Sequence, residues 1–418
     1  MEDRPSKSGL RYGWTLVGLL WFCGFFNYAD RQAIFSVFPV LETEFKLTNS
    51  QLGLIGSSFM VVYALMAPLS GFVVDLAPRR RLIVLGLGFW SLICTATALS
   101  RKFWHLLVFR AAEGLGESFY FPASMSILAD YHGPRTRSRA MSLHQTSVYA
   151  GTVGGGALAG FLGERYGWRS PFLILGVIGL LYSALLLRLI IEPVRGKAEM
   201  KAEPALADDA IGLPATRANL ARHVLEIVTV PSACALLAVF AGANFVAAVM
   251  LTWLPKFVYS KFATGLGSAS MIANLLHLAS LAGALCGGPL ADWAARRPGG
   301  RVRVQAFSLL LGAPCVLLAG WTARLPVLMA ALIAAGLCKG FYDANIFASI
   351  YDVVRIEVRG TAAGLMNTIG WAGASLAPLA VGLAADRYGL SVAMASTSAV
   401  YLAAGLLALG TASLRRQV

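Results

Sequence analysis

The chain has 418 residues, of which 57% are hydrophobic and only 13% charged, and its mean hydropathy is +0.67. A soluble domain carries roughly a quarter charged residues, so this balance excludes an ordinary soluble fold. It indicates an all-α integral membrane protein, with room for about twelve spans of roughly 20 residues each. The formal charge of +14 lies in short loops between apolar runs, a pattern of membrane topology, so nucleic acid is not expected as a partner.

Apolar runs punctuated by Gly, Pro and charge predict helices over 12–38, 51–75, 82–99, 104–131, 140–163 and 171–192. A second set is predicted over 231–260, 268–292, 303–321, 325–352, 361–384 and 391–412. The first run lacks a convincing cleavage site and contains Asp30 and Arg31, so it reads as an uncleaved first helix. Residues 193–229 differ in kind, carrying Arg195, Lys197, Glu199, Lys201, Glu203, Asp208, Asp209, Arg217 and Arg222. They read as a polar linker with an amphipathic surface helix around 217–228. The expected organisation is a six-helix bundle over 1–192, a cytoplasmic linker over 193–229 and a second six-helix bundle over 230–418.

Loop charge sets orientation. Arg79-Arg80-Arg81, Arg135/Arg137/Arg139 and Arg296/Arg297/Arg301/Arg303 all fall on the side that also holds the linker and both termini. An excess of Lys and Arg marks the cytoplasmic side, so both termini are expected in the cytoplasm. The six cysteines lie in apolar segments with no CxxC and no metal-ligand spacing, and read as small buried hydrophobes. Neither a metal nor a cofactor is expected. Gly151, Gly154, Gly155, Gly156 and Gly160 suit close helix packing; no strand precedes them and no Lys-Ser/Thr follows, so they are not a phosphate loop.

Two charge clusters interrupt the apolar runs. Asn27-Tyr28-Ala29-Asp30-Arg31 lies in the first helix, and Arg110-Ala-Ala-Glu113-Gly114-Leu-Gly116-Glu117 in the fourth. A charge near the bilayer centre costs roughly 2.5–3.5 kcal/mol on insertion scales, so these residues either hold helices together as ion pairs or line a polar path. The path is the favoured reading. The chain also repeats itself: Gly71-xxx-Asp75-xxx-Arg79-Arg80 recurs as Gly288-xxx-Asp292-xxx-Arg296-Arg297. Asn27 matches Asn244. Phe119-Tyr120, Asp130, Arg137 and Arg165-Tyr166-Gly167 match Phe341-Tyr342, Asp352, Arg359 and Arg387-Tyr388-Gly389, with one register shift near Pro298-Gly-Gly300.

Twelve helices in two repeated halves, with GxxxDxxxRR after the second and eighth, resemble the major facilitator superfamily over nearly the whole length. The resemblance implies that helices 1, 4, 7 and 10 line a cavity opened alternately to each side. One departure is that Asp75 is followed by Leu76-Ala77-Pro78 and Asp292 by Trp293, so the arginine usual beside the Asp is missing. The latch assigned to that loop would then be carried by Arg79 and Arg296. Asp-Arg in helix 1, R-xxx-G-x-G-E and Phe121-Pro122 in helix 4 and Gly167-Trp168-Arg169 before helix 6 narrow the likeness. They resemble both the anion:cation symporters, which carry sugar acids and other carboxylates, and the Spinster-like carriers of lysolipids and sphingoid lipids.

From the residues themselves, Asp30 and Arg31 lie about 8 residues from the outer end of their helix, roughly 12 Å of rise, and Arg110 at similar depth. Glu117 is two turns deeper on the face of Arg110. An anion taking Arg31 or Arg110 would release Asp30 or Glu117 to bind a proton, since the guanidinium fork matches a carboxylate. The expectation is a proton-coupled secondary transporter of the inner membrane. It would act as a monomer and move a small organic anion, with an amphiphilic lipid as the alternative cargo. Asp30 and Glu117 are the expected proton sites, and Arg31 and Arg110 the anion contacts. Asn27, Tyr120, His144, Gln145, Asn244, Lys339, Tyr342, Asp343, Asn345, Asn367 and Trp371 are candidate lining. The pairs Asp130 with Arg137 and Asp352 with Arg359 are expected to meet between the halves as gates, alongside Asp75, Arg79, Asp292 and Arg296. A receptor without transport is disfavoured because no appended domain could relay a signal. An enzyme is disfavoured because no nucleophile–base pair or metal cluster is evident.

Overall fold

A computed structural model describes residues 7–133, 136–195, 217–297, 299–355 and 358–414. Arg135, Pro298 and most of the expected linker, including Lys197, Glu199, Lys201, Glu203, Asp208 and Asp209, lie outside the described residues. Among the described residues all regular structure is helical. The first set is α1 (Lys7–Ser36), α2 (Phe38–Phe45), α3 (Asn49–Leu76), α4 (Arg79–Thr97), α5 (Phe103–Glu117), α6 (Tyr120–Tyr131), α7 (Arg137–Tyr166) and α8 (Arg169–Leu189). The amphipathic α9 (Arg217–Val228) follows, at the position its pattern predicts. The second set is α10 (Pro231–Phe262), α11 (Leu266–Ala294), α12 (Gly300–Trp321), α13 (Leu325–Asp343), α14 (Ile346–Tyr351), α15 (Arg359–Tyr388), α16 (Leu390–Ser396) and α17 (Ser398–Leu414).

Four of the expected spans are broken, each for a local reason. Pro39 cannot donate to the Phe35 carbonyl, so the first span divides into α1 and α2 at Val37. Pro122 likewise removes the bond to Ser118, which divides the fourth span into α5 and α6. No proline divides α13 from α14. There the Asn345 side chain donates to the Phe341 carbonyl, one turn back, and to the Gly287 carbonyl of α11. Thr397 Oγ1 takes the Met394 carbonyl in the same way between α16 and α17.

Nine segments among the described residues are long and apolar enough to cross a membrane: α3, α4, α8, α10, α11, α12, α13–α14, α15 and α16–α17. The other three expected spans, α1, α5–α6 and α7, fall short in apolarity, and they carry Asp30, Arg31, Arg110, Glu113, Glu117, His144 and Gln145. The helices least like membrane spans are those that hold the polar cluster. Large side chains such as Leu65, Leu85, Leu181, Leu285 and Leu311 point outward, as lipid contact requires. Cys23 and Cys94 are buried, whereas Cys286 is exposed.

The chain divides into two compact units, residues 1–34 with 62–214 and residues 35–61 with 215–418. The core of the first is built from Leu16, Val17 and Leu20 of α1, Ile83, Leu87 and Trp90 of α4, and Ile127 and Leu128 of α6. In it, α7 lies against α1 where a Cβ at Gly155 would stand 2.2 Å from the Ala29 Cα. The glycines of α7 are therefore packing residues, as their spacing predicts. The second unit holds α11 and α13 in similar contact, with Gly336 against the Leu276 carbonyl and Gly340 against that of Ser280. It also contains α2 and the start of α3: Phe38 packs edge-on to Trp253 at 5.9 Å, and Lys256 binds Glu42 at 2.7 Å and Asn49 at 2.5 Å.

Candidate functional site

The two charge clusters read from the sequence meet inside the first unit. α1 brings Asn27, Asp30 and Arg31, and α5 brings Arg110, Glu113 and Glu117. All six are at most 4% exposed. Arg31 donates from Nε and Nη2 to one oxygen of Glu117, at 3.2 and 2.7 Å, and from Nη2 to Asn27 Oδ1 at 3.4 Å. Its guanidinium also lies 4.5 Å from the ring centre of Tyr28 and 5.1 Å from that of Tyr63. Such stacking suits a planar, weakly hydrated cation in a dry site.

Arg110 binds Glu113 at 2.5 Å, three residues on along α5, and reaches the Arg31 carbonyl at 3.4 Å. Glu113 stands in the motif that the sequence displays, but nothing there marks it as a site residue. The spacing of three that puts it beside Arg110 was the available signal. Asp30 has a different setting from the one expected. Neither of its carboxylate oxygens has a hydrogen-bond partner, and one of them lies with Cys94 Sγ and a Glu113 oxygen in a group spanning no more than 4.8 Å.

Of the lining candidates in this unit, Tyr120 and His144 are buried on one another. The Tyr120 hydroxyl lies 2.7 Å from His144 Nε2 and donates to the Leu20 carbonyl at 2.6 Å, tying α6 to α1. Gln145 is exposed.

In the second unit, Lys339 and Asp343 form an ion pair one turn apart on α13. Tyr342 is buried beside them, Asn345 bonds the two carbonyls already named, and Asn244 donates to the Phe240 carbonyl on its own helix at 2.9 Å. Asn367 is exposed and Trp371 half-buried on α15.

The arginines after the repeated motif make contacts within each unit. Arg79, 2% exposed, binds Asp130 and, through Nε at 2.8 Å, Glu192; it also reaches Ser126 and the Pro193 carbonyl. In the second unit Arg301 binds Asp292 at 2.8 Å and Asp352 at 3.3 Å. The repeat is therefore realised by Arg79–Asp130 and Arg301–Asp352, whereas the sequence spacing aligned Arg79 with Arg296, which is exposed. The physical reason is the turn at Gly299, in the left-handed region at φ 68°, which delays the start of α12 and puts Arg301 where Arg79 stands on α4. Asp75 is exposed. Arg137 donates to the carbonyls of His132 and Ala129, and Arg359 to that of Tyr351, so each caps the helix end eight residues before it. Asp130 is bound by Arg79 and Asp352 by Arg301, two contacts that the sequence did not single out.

Comparison with known proteins agrees with this architecture. The family profile "Major Facilitator Superfamily" matches residues 20–304 and 293–416. The chain is 24% identical over 396 residues, 90% of its length and 89% of the relative's, to the "Probable galactarate/D-glucarate transporter GarP" of Escherichia coli (strain K12). It is 27% identical over 325 residues to "Protein spinster" of Drosophila melanogaster, covering 75% of this chain and 51% of that one. Its fold superposes with TM-score 0.85, at 21% identity over 97% of this chain and 98% of the other, on a bacterial homolog of the human lysosomal transporter Spinster in an inward-facing, unoccupied conformation. With the profile covering nearly all of the helices and their buried charges, the chain belongs to the Major Facilitator Superfamily and is a multi-pass membrane transporter, not an enzyme.

Proposed function

We propose that the protein is a proton-coupled secondary transporter that moves a small organic anion, of the sugar-acid class, by alternating access. The observation that carries this reading is the buried Arg31–Glu117 pair, a guanidinium whose present partner is a carboxylate. A substrate carboxylate offers Arg31 the same two-point contact, so it can take the arginine while Glu117 takes a proton. Arg110 supplies a second positive charge beside it, and Asp30 a second acceptor for a proton. The galactarate and D-glucarate named for one relative are anions of this kind. The cationic loops support an inner-membrane protein with both termini in the cytoplasm. Arg79 with Asp130, and Arg301 with Asp352, would fasten the loop ends of each bundle as the halves rock, with Asp75, Asp292, Arg137, Arg296 and Arg359 around them.

One observation favours a lipid cargo as a second reading. The first unit carries an apolar groove of about 380 Å³, lined by Val73, Leu82, Leu85, Phe89, Leu115 and Phe119, of a character that suits an acyl chain. The test is ligand-induced thermal stabilisation of the purified protein, with galactarate, D-glucarate and a lysophospholipid, at neutral and mildly acidic pH. A ligand that binds only the folded state raises its melting temperature by mass action. Stabilisation by a sugar acid, lost in Arg31→Ala, is the expected result. Stabilisation by the lysophospholipid alone would transfer the assignment to the lipid reading.

A further inference from the structure

Among the described residues, three carboxyl groups and two guanidiniums are buried together in the first unit, and their charges do not balance. Asp30, Glu113 and Glu117 face, among the described residues, two guanidiniums, those of Arg31 and Arg110. Arg31 is engaged with Glu117, and Arg110 with Glu113 Oε2. This leaves both oxygens of Asp30 and Oε1 of Glu113 without a hydrogen-bond partner, each on a side chain at least 98% buried. The two carboxyl groups are neighbours, grouped with Cys94 Sγ within 4.8 Å.

Two ionised carboxylates so placed, away from water, repel strongly. One proton between them removes the repulsion, supplies the missing donor and neutralises the cluster. We propose that Asp30 and Glu113 hold one shared proton, an O–H of one carboxyl group donating to an oxygen of the other. Glu113 is thereby a proton-binding residue of this transporter, and Glu117 serves as the counter-charge of Arg31. The groups around the pair are Arg31 on α1, Cys94 on α4, and Arg110 and Glu117 on α5; Tyr28 and Tyr63 lie against the guanidinium of Arg31. The fixed charge of Arg110, already on Glu113, favours a proton over a metal cation in the same space. Transport coupled to this proton rests on the function proposed above; the shared proton itself does not.

The test is infrared spectroscopy of the full chain, purified without substrate at neutral pH, in H₂O and in D₂O. Wild type is expected to show the C=O stretch of a protonated carboxyl group, shifted by D₂O. The band should be lost in Glu113→Gln and in Asp30→Asn. Asp30→Asn, which leaves both ion pairs in place, carries the test if the Glu113 variant does not fold. Absence of the band in wild type, or its survival in both Glu113→Gln and Asp30→Asn, would overturn the proposal. A galactarate-uptake assay separates the two readings. A band lost in Glu113→Gln, with wild-type uptake indifferent to the proton gradient, keeps the shared proton and removes coupling. Gradient-driven uptake with no wild-type band does the reverse.

Discussion

Arg31 gives two of its donors to a single oxygen of Glu117, and the second oxygen, Oε1, is left without a partner. The pair is thus strongly held but not fully satisfied, a state from which a substrate carboxylate can displace it. Glu117→Gln leaves Arg31 buried with no full counter-charge, and breaking such a pair costs about 3–5 kcal/mol. We expect a lower melting temperature, partly restored by a sugar acid at high concentration. In proteoliposomes the same variant should lose accumulation driven by a proton gradient and retain counterflow exchange. Uphill uptake at the wild-type rate would remove Glu117 from the coupling step.

Arg110→Ala strands Glu113, and the loss should be about as large, because Arg110 is completely buried and bound to both a carboxylate and the Arg31 carbonyl. The double variant Arg110→Ala/Glu113→Ala should recover much of that stability, since neither member of the pair is then left without the other. The melting temperatures of the four proteins form a double-mutant cycle. Additive losses would show that the two side chains do not act on one another.

How much of this was legible beforehand depended on range. The helices, the surface helix α9 and the convergence of α1 with α5 follow from hydrophobic runs and from the cost of placing charge in them. The breaks at Val37 and near Ser118 were legible too, through Pro39 and Pro122, had the prolines been weighed against the apolar runs. Partner choice was not legible. Asp30 and Glu117 looked equivalent, and only the rotation of α5 assigns Arg31 to Glu117 and leaves Asp30 facing Glu113. The repeat misled in one place. The identical spacing of Arg79 and Arg296 hid the turn at Gly299 that hands the role to Arg301.

The two repeated arginines should differ in weight. Arg79 is 2% exposed and holds two carboxylates, while the Arg301 side chain is 26% exposed and one of its partners, Asp292, is 72% exposed. Exposed pairs are worth at most about 1 kcal/mol, and buried ones cost several times that when broken. Arg79→Ala should therefore lower the melting temperature far more than Arg301→Ala. Equal effects would mean that burial does not set the strength of these contacts. Glu192 adds to the first, because its two oxygens accept the backbone N–H groups of Arg79 and Arg80 at the start of α4.

Helix packing sets the position of the buried charges. Gly155 sits against Ala29, next in sequence to Asp30, and an added Cβ would lie 2.2 Å from the Ala29 Cα. The obstacle is backbone, so it cannot swing aside. Gly155→Ala must push α7 from α1, and overpacking of this kind costs about 1–3 kcal/mol. Transport should fall by more than folding does, because Asp30 and Arg31 move with α1. Gly18, inside α1 with nothing within 4 Å of its added Cβ, is the control: Gly18→Ala should leave transport unchanged and should not lower the melting temperature.

Asp386, at the end of α15, accepts the backbone N–H of Asn49 at 2.8 Å on one oxygen and that of Ser50 at 2.9 Å on the other. It caps the start of α3 from a distant point in the chain, supplying both acceptors and a negative charge at the positive helix end. Loss of an N-terminal cap costs about 0.5–2 kcal/mol, and Asp386→Ala should fall in the upper part of that range because two donors are released together. The diagnostic reading is local. Hydrogen exchange at the amides of Asn49 and Ser50 should accelerate while exchange in the middle of α3 holds. Uniform acceleration along α3 would mean that Asp386 supports the whole helix, and unchanged exchange at Asn49 and Ser50 would mean that the cap contributes nothing to holding that end closed.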